Sequence, residues 1–551
     1  MKNSETNGNV EVNGKELNGK HLLANEKDAE AAKDANNDEE IDAVQRAMGG
    51  FGRWQILVCL AISLVKFPVA WHQLAIIFMA PQPELRCSVP NGTYNPQISE
   101  DQCSYTVNGT EVTCTAWEYN RDTFPETIVT QWNLVCGQSL YAEILQSLLM
   151  FGVLLGNIVF GSLADRYGRK KPLVGSVVLQ LVTGIGCAVV PWFPALLVLK
   201  LLSALATGGT MVTSFVICME IVGTKWRAPI TVLYQIPYSL GHMSLAGLGY
   251  WFRHWQHLQL AITLPSIILL GYWWTVPESP RWLLAMGRQR EACRVLQRAA
   301  KLNKIENNDI PEMIRKHCLH QSTKQTVTDH KPSFLDLFRT PNMRTKSLAI
   351  FFNWMICGMG LFGMSQYLGQ VGGNIFVNVA VSGGTQIPGN VVSLWAMSAL
   401  GRKTTLIVSN VVAGLASLLL IAVPTETAWV RLLLSCFGIV GMSVSFTTVY
   451  LFSGELFPTV VRNVGVGTSS MCARIGSMAA PFVVSLGRDD SRGWLAPMIF
   501  GTLPLIGALL CYFLPETAGC TLPETLEDGE TFGKKLVESD RRKEAEAEAA
   551  L

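Results

Sequence analysis

Two basic residues lie inside apolar stretches of the sequence, where a charge is costly. Arg474 is flanked by Met471-Cys-Ala and Ile475-Gly-Ser, and Lys66 lies within a separate apolar run. Because an ionised side chain is expensive in hydrocarbon, each should face a partner or a wet cavity. Glu143 lies near the end of its own run, and no Asp or Glu lies deep in the others. Arg474 therefore predicts a site for a carboxylate, whereas Lys66 could equally reach the membrane surface.

Further charged residues form motifs that recur along the chain. Three motifs in the first half of the chain reappear about 235 residues later, each after a long apolar run. Recurrence at one offset indicates an internal repeat, with the charged residues at matching ends of two similar bundles. The matching motifs are 166–170 with 399–403, Glu220 and Arg227 with Glu455 and Arg462, and 277–279 with 515–517.

The apolar runs that must position these residues have the length of membrane-spanning helices. The chain has 551 residues, of which 49% are hydrophobic and 16% charged, and residues 347–401 contain no Asp, Glu, Lys or Arg. One crossing needs about 20 residues, so this stretch holds two. We predict an all-α polytopic membrane protein, with twelve transmembrane helices in two bundles of six. The predicted helices are 54–79, 141–163, 172–190, 195–219, 229–251, 257–276, 346–368, 374–398, 404–424, 430–453, 464–486 and 494–514.

Lys and Arg in the connecting loops predict the orientation of the chain. They are concentrated after the second, fourth, sixth, eighth and tenth helices, which places those loops in the cytoplasm. Both termini are then cytoplasmic, and residues 80–140 are extracellular. That loop contains glycosylation sequons at Asn91 and Asn108, and four cysteines that suit an oxidising exterior. The cysteines, whose three possible pairings stay open, are Cys87, Cys103, Cys114 and Cys136.

The same pattern divides the chain into five segments. Residues 1–50 have the polar, charged composition of a disordered tail. Residues 277–345 have Leu and Trp spaced among Arg, which predicts amphipathic helices at the membrane surface. The segments are a cytoplasmic tail 1–50, an N-terminal bundle 51–276 including loop 80–140, a cytoplasmic linker 277–345, a C-terminal bundle 346–514, and a cytoplasmic tail 515–551.

Motifs for covalent chemistry are missing from the sequence. It contains no phosphate-binding loop, no HExxH zinc motif, no nucleophile elbow and no His or Cys cluster with metal-ligand spacing. We therefore predict no enzyme activity, no cofactor and no metal site. The net charge of +2 is uninformative about nucleic acid, and we expect none as a partner. Membrane lipid and a small substrate are the expected partners, and the oligomeric state stays open.

Four motifs carry a resemblance to a known family. Residues 161–170, Gly-Ser-Leu-Ala-Asp-Arg-Tyr-Gly-Arg-Lys, resemble the signature loop of the major facilitator superfamily. More narrowly, the cysteine-containing loop and segments 128–136, 277–283 and 454–463 resemble the organic cation, carnitine and organic anion transporter family. The resemblance implies the fold of that superfamily and a plasma-membrane carrier of small organic ions. Its site would lie between the bundles and open to each side in turn.

The resemblance and the repeat together imply a cytoplasmic gate. Gly161 permits close approach of helices, and Asp165 can cap a helix of the other bundle. The arginines of the motifs can pair with the two glutamates. We expect these contacts to hold the outward-facing state, with the second copy weaker because Ser398 replaces the Asp. The predicted gate residues are Gly161, Asp165, Arg169, Glu220, Arg227, Glu455 and Arg462.

The resemblance also implies an aromatic-walled cavity. Cation-selective members carry acids at the positions of Arg474, Gln386 and Thr447. Carnitine and anion carriers instead have Arg at the position of Arg474. The chain therefore favours anions, or zwitterions with a carboxylate, over simple quaternary ammonium ions. Aromatic faces could still hold an ammonium group. The predicted substrate-binding residues are Arg474, Lys66, Trp354, Phe362, Tyr234, Gln386, Phe446 and Tyr450.

Two alternative functions stay open at this point. A sugar porter would share the fold but usually has a short first loop, and a non-transporting membrane sensor could use the same architecture. The absence of an intramembrane carboxylate predicts facilitated diffusion or exchange rather than proton symport. Sodium coupling stays open, because backbone and hydroxyl oxygens can hold that ion.

Overall fold

The long helices of the chain form an N-terminal half (53–275) and a C-terminal half (341–512). We call the face with residues 80–139 the loop face and the face with residues 276–340 the linker face. The computed structural model describes residues 43–532, apart from 82, 90–96, 100–101, 108–109, 306–308, 317–333, 370–372, 425, 488–492, 521–522 and 524.

The helices follow one another through short connections. The N-terminal part contains α1 (Ala43–Met48), α2 (Arg53–Ser63), α3 (Lys66–Leu74), α4 (Ile76–Met79), α5 (Ile128–Gln131), α6 (Leu140–Tyr167), α7 (Lys170–Val189), α8 (Phe193–Ile221), α9 (Thr224–Leu233), α10 (Ile236–Trp251), α11 (Trp255–Thr263) and α12 (Tyr272–Thr275). The remainder contains α13 (Pro280–Ala285), α14 (Gln289–Leu302), α15 (Pro341–Leu368), α16 (Ile375–Ala399), α17 (Arg402–Ala422), α18 (Ala428–Leu456), α19 (Arg462–Leu486), α20 (Leu495–Tyr512) and α21 (Leu526–Thr531). Short 3-10 turns lie at Cys136–Gln138, Leu264–Gly271 and Phe334–Phe338.

Every predicted crossing coincides with helical structure. Nine helical segments of the described chain are long and apolar enough to span a membrane. The other three predicted crossings are α9 with α10, α16 and α19. α9 and α10 are each too short to be counted, with 10 and 16 residues, whereas α16 and α19 carry polar residues that line an internal cavity. The polytopic helical fold class is therefore confirmed, with nine of the twelve crossings established by length and apolarity.

Glycine allows α6 to pack closely on α8. A Cβ added at Gly156 would overlap the carbonyl oxygen of Leu205, and one added at Gly208 would overlap that of Val153. Small residues let membrane helices approach until their backbones are in van der Waals contact. The packing of this half therefore depends on two positions that no larger residue can occupy.

We expect Gly156→Leu to prevent correct packing of α6 on α8, at a cost of about 3 kcal/mol or more. The measurement is the yield of monodisperse protein by size-exclusion chromatography in detergent. The control is Gly175→Leu, because a Cβ at Gly175 meets nothing within 4 Å. A normal yield for Gly156→Leu would contradict the packing argument.

The loop face carries a small β structure stabilised by two disulfides. The strands are β1 (Leu85–Cys87), β2 (Gln97–Ile98), β3 (Ser104–Val107), β4 (Thr110–Thr113) and β5 (Trp117–Tyr119). β1 pairs with β5, and β3 pairs with both β2 and β4, all antiparallel. The disulfides join Cys87 to Cys114 and Cys103 to Cys136, which selects one of the three open pairings. Both sequons, at Asn91 and Asn108, lie outside the described residues.

Helix α14 of the linker packs on the N-terminal half. The apolar face of α14, which includes Leu296 and Ala299, is buried against the helix ends of that half. The expectation of a disordered tail through residue 50 is wrong for 43–48, which form α1. Val44 and Met48 are buried in the same cluster, because the apolar residues of α1 lie on one side and cover α14.

The segment after α20 also docks on the linker face. The carboxylate of Glu530 accepts hydrogen bonds from the backbone N–H groups of Asn342 and Met343 at the start of α15. Lys346 donates to the carbonyl oxygens of Gly529 and Phe532, at 2.9 and 2.7 Å. An acid at a helix N-terminus satisfies unpaired N–H groups, so α21 fixes the start of α15.

Candidate functional site

A cavity of about 480 Å³ lies between the two halves. Helices α3, α6, α8 and α10 line it from one half, and α15, α16, α18 and α19 line it from the other. No Asp or Glu is among its lining residues, which all belong to the described chain. Its only charged lining residues are Lys66 and Arg474. The cavity is therefore positively charged and has an apolar, aromatic wall.

Arg474 lies on α19 and is 7% exposed. One terminal nitrogen is 3.9 Å from the sulfur of Met211, a weak acceptor. Its Nε has no hydrogen-bond partner within the described residues. A buried guanidinium normally has a carboxylate or several carbonyl partners. Arg474 is thus a charged group oriented into the cavity with most of its hydrogen-bonding capacity unused.

Lys66 contributes the second positive charge of the cavity. The side chain is 3% exposed, with Nζ 4.4 Å from the centre of the Tyr234 ring and 3.5 Å from Oε1 of Gln235. It therefore faces the cavity and does not reach the membrane surface. Tyr234 itself is not a lining residue; it lies behind Lys66, and its hydroxyl is 2.6 Å from Oγ of Ser214.

Aromatic side chains form one wall of the cavity. The ring centre of Trp354 is 5.6 Å from that of Phe446 and 5.3 Å from that of Tyr450. Phe215, which the sequence analysis did not single out, lies 5.4 Å from Tyr450. Phe362 also lines the cavity. The ring faces can hold a cation or the apolar body of a substrate.

Polar side chains complete the lining. Gln386 contacts Nδ1 of His242 at 3.1 Å through Nε2. The hydroxyl of Tyr238 donates to Gln73 at 3.2 Å, and Asn390 accepts hydrogen bonds from neighbouring hydroxyls on α18. Gln73, Tyr238 and Asn390 were not among the predicted site residues. Amides within apolar helices were the available signal, because a buried amide needs hydrogen-bond partners.

Another buried lysine lies within the N-terminal half, away from the cavity. Lys200 on α8 is 5% exposed, and its Nζ is 2.6 Å from Oε1 of Gln259. The sequence predicts a helix there, but Lys200 was not among the predicted site residues. Because an amide oxygen already holds Lys200, its role is consistent with packing within the N-terminal half.

The gate residues pair within each half. Arg169 contacts Glu220 at 2.9 Å and Asp165 at 2.5 Å. Burial opposes the charge of Arg169, but the hydrogen bonds to Glu220 and Asp165 outweigh it and raise the pKa of the guanidinium. The second half repeats the arrangement, with Arg402 contacting Glu455 at 3.1 Å. The carboxylates of two other glutamates cap the starts of α7 and α17. The capping residues are Glu278 and Glu516.

Several gate predictions differ from the observed contacts. We expected Asp165 to cap a helix of the other half, but it pairs with Arg169 and its side chain is 75% exposed. A Cβ added at Gly161 would meet nothing within 4 Å, so this glycine makes no close helix approach in the present conformation. Arg462 donates to the carbonyl oxygen of Phe457. Arg227 on α9, the remaining predicted gate residue, is half-buried.

Aromatic packing between the halves closes the loop face. Phe376 of the C-terminal half stacks on Phe78 of the N-terminal half, with ring centres 5.4 Å apart. Phe124 and Tyr250 pack on the same ring. The cavity lining instead extends toward the linker face, as far as Asn463 near the start of α19.

Known proteins resemble this chain over nearly its whole length. The family model described as sugar (and other) transporter matches residues 91–528. The organic cation transporter protein of Drosophila melanogaster is 37% identical over 534 residues, covering 91% of this chain and 97% of that protein. Organic anion transporter 3 of Oryctolagus cuniculus is 33% identical over 529 residues, covering 91% and 95%. The chain belongs to the organic ion transporter family of the major facilitator superfamily.

Membership of this family confirms the resemblance seen in the motifs. A third relative, solute carrier family 22 member 13 of Homo sapiens, is 32% identical over 535 residues, covering 90% of this chain and 95% of that protein. A partially occluded inward-open structure of the xylose transporter of E. coli has a TM-score of 0.61. It is 16% identical and covers 85% of this chain and 100% of that one. The likeness to a sugar transporter therefore concerns the fold alone.

Proposed function

We propose that this family member carries small organic anions, and zwitterions that present a carboxylate, across the plasma membrane. The observation that supports this most directly is Arg474, a buried guanidinium facing a cavity whose lining contains no acid. A substrate carboxylate would supply the missing partner through two parallel hydrogen bonds. The relative named for organic cations is 37% identical and the one named for organic anions is 33% identical, so the choice of anions rests on the charges of this cavity and not on the names of the relatives.

The remaining lining residues would orient the rest of the substrate. Lys66 adds a second positive charge, which favours negative groups and repels simple cations. The rings of Trp354 and Tyr450 offer faces to an apolar body, or to the ammonium group of a zwitterion. Binding needs no covalent step, so we propose a carrier without enzyme activity.

Alternating access would deliver the substrate to the opposite side. If the basic linker face is cytoplasmic, the conformation described here is closed to the exterior and accessible from the cytosol, with both termini inside. In the opposite conformation the linker face must close. Asp165 lies in the last turn of α6, which packs on α19 across the boundary between halves. We propose that it then caps the start of α19, where its charge would stabilise exposed N–H groups.

We expect transport to be independent of the proton gradient. The cavity has no carboxylate among its lining residues to carry a proton, so facilitated diffusion or exchange accounts for the cycle. The test is uptake of a labelled organic anion into proteoliposomes with an imposed pH gradient and clamped membrane potential. Uptake should reach the equilibrium level and be unaffected by a protonophore. Concentrative uptake that a protonophore abolishes would contradict this proposal.

A further inference from the structure

An exposed row of basic side chains runs along α14 in the linker. Its members lie at intervals of four, four and three residues, which places them on one side of a helix. None has an ion-pair partner within the described residues. The row, which we call the basic stripe, consists of Arg290, Arg294, Arg298 and Lys301, all exposed.

The basic stripe faces away from the transporter body. The opposite side of α14 carries Ala292, Leu296 and Ala299, which are buried against the linker-face ends of the N-terminal half. The only acid of α14, Glu291, already contacts Arg288 at 2.6 Å. Four positive charges on one face repel each other unless anions neutralise them. Because the stripe is directed away from the membrane-spanning helices, its occupant should come from the aqueous side.

The chain itself carries a matching acidic segment beside this helix. Residues 34–42, Asp-Ala-Asn-Asn-Asp-Glu-Glu-Ile-Asp, contain five acids and no Lys or Arg, and we call them the acidic segment. They lead directly into α1. Met48 of α1 is buried against α14, and its carbonyl oxygen accepts a 2.9 Å hydrogen bond from Asn303. Val44, two residues after the acidic segment, is buried in the same cluster, so the segment ends next to a point fixed on the helix that carries the stripe.

The acidic segment fits the basic stripe in length and charge better than the other two segments outside the described residues that could be compared, 317–333 and 533–551. Nine extended residues reach about 30 Å, whereas the stripe spans about 17 Å along α14. Residues 533–551 contain five acids but also five Lys or Arg, and residues 317–333 contain one acid. We infer that residues 34–42 dock on the basic stripe of α14 and form an intramolecular electrostatic interface at the linker face.

Zero-length carbodiimide coupling of the full-length protein tests the interface. The reagent joins a carboxylate to a lysine amine only when the two are in contact, so Lys301 reports on its partner. We expect mass spectrometry to identify a peptide linking Lys301 to an acid of residues 34–42. Raising the ionic strength from about 0.05 to about 0.5 M should reduce its yield severalfold, because salt screens exposed charges.

Two variants check that the charges are responsible. Asp38→Asn combined with Glu39→Gln and Glu40→Gln, or Arg290→Glu combined with Arg294→Glu and Arg298→Glu, should each reduce the link severalfold. The matched control, Arg344→Glu, changes an exposed arginine of the same face and should leave the link intact. Circular dichroism and size-exclusion profiles verify folding of each variant.

Other outcomes would overturn the inference. The first is the absence of any link between Lys301 and residues 34–42. The second is coupling of Lys301 to acids of residues 533–551, and the third is its coupling to phosphatidylserine in proteoliposomes that contain this lipid. The last result would identify the stripe as a membrane contact. A link to residues 34–42 that persists in both charge variants would show that the contact is not electrostatic.

Discussion

Replacement of Arg474 by Ala is expected to reduce organic anion uptake about 10- to 100-fold, because a charge-assisted hydrogen-bonded contact is worth about 1.5–3 kcal/mol. The guanidinium has no acid beside it in the cavity lining, so its loss leaves no unpaired protein carboxylate behind. The effect should therefore fall on substrate binding rather than on folding. The measurement is initial uptake of a labelled anion in cells, normalised to surface expression, with a panel of competing cations, zwitterions and anions.

Three further substitutions sharpen this test. Arg474→Lys keeps the positive charge but loses the bidentate hydrogen bonds to a carboxylate, and this variant should retain partial uptake. Arg474→Asp should abolish anion uptake and admit organic cations to the aromatic wall. Arg344→Ala, an exposed arginine of the linker face, is the control and should behave like the unaltered protein. Normal anion uptake in Arg474→Ala would contradict the proposed role of Arg474 in binding the carboxylate. A scaffold or sensor role would gain support if the unaltered protein took up none of the labelled ions.

Replacement of Glu220 by Gln is expected to destabilise the protein by about 2 kcal/mol and to slow transport severalfold. It removes the main partner of Arg169, whose side chain is only 12% exposed, and leaves that cation poorly compensated. The expected shift in melting temperature is a decrease of about 3–6 °C, measured on purified protein by a thiol-reactive or intrinsic-fluorescence assay. Initial uptake rates report the effect on the cycle.

An exposed ion pair of the same chain provides the comparison. Glu291 contacts Arg288 at 2.6 Å with both side chains 46% exposed, so Glu291→Gln should cost less than about 0.5 kcal/mol. The exchange of Arg169→Glu with Glu220→Arg should restore only part of the stability, because the new glutamate lies beside Asp165. Equal effects of Glu220→Gln and Glu291→Gln would show that burial of the gate pair contributes nothing.

The cavity residues could be predicted from the sequence better than the contacts of the gate. Arg474 and Lys66 were identifiable because a charge within hydrocarbon must have a polar environment, wherever the neighbouring helices lie. Gln73 and Tyr238 gave a weaker signal, because polar but uncharged residues occur at many buried positions. The gate acids and arginines were identifiable as a set, but which arginine pairs with which acid was not, and Arg402, the partner of Glu455, was not among the predicted gate residues. Glu220 and Arg169 are separated by a complete helical hairpin, and only packing brings them together.

The sequence by itself determined that this chain crosses a membrane repeatedly, that its halves repeat, and that positive charge lies within the hydrocarbon layer. Those conclusions follow from the cost of burying charge and backbone polar groups in lipid, which depends on local composition. Tertiary structure alone decided the disulfide partners, the position of Tyr234 behind Lys66, and the pairing of gate charges within each half. Such contacts depend on which helix faces meet, and that choice results from packing summed over segments far apart in the chain.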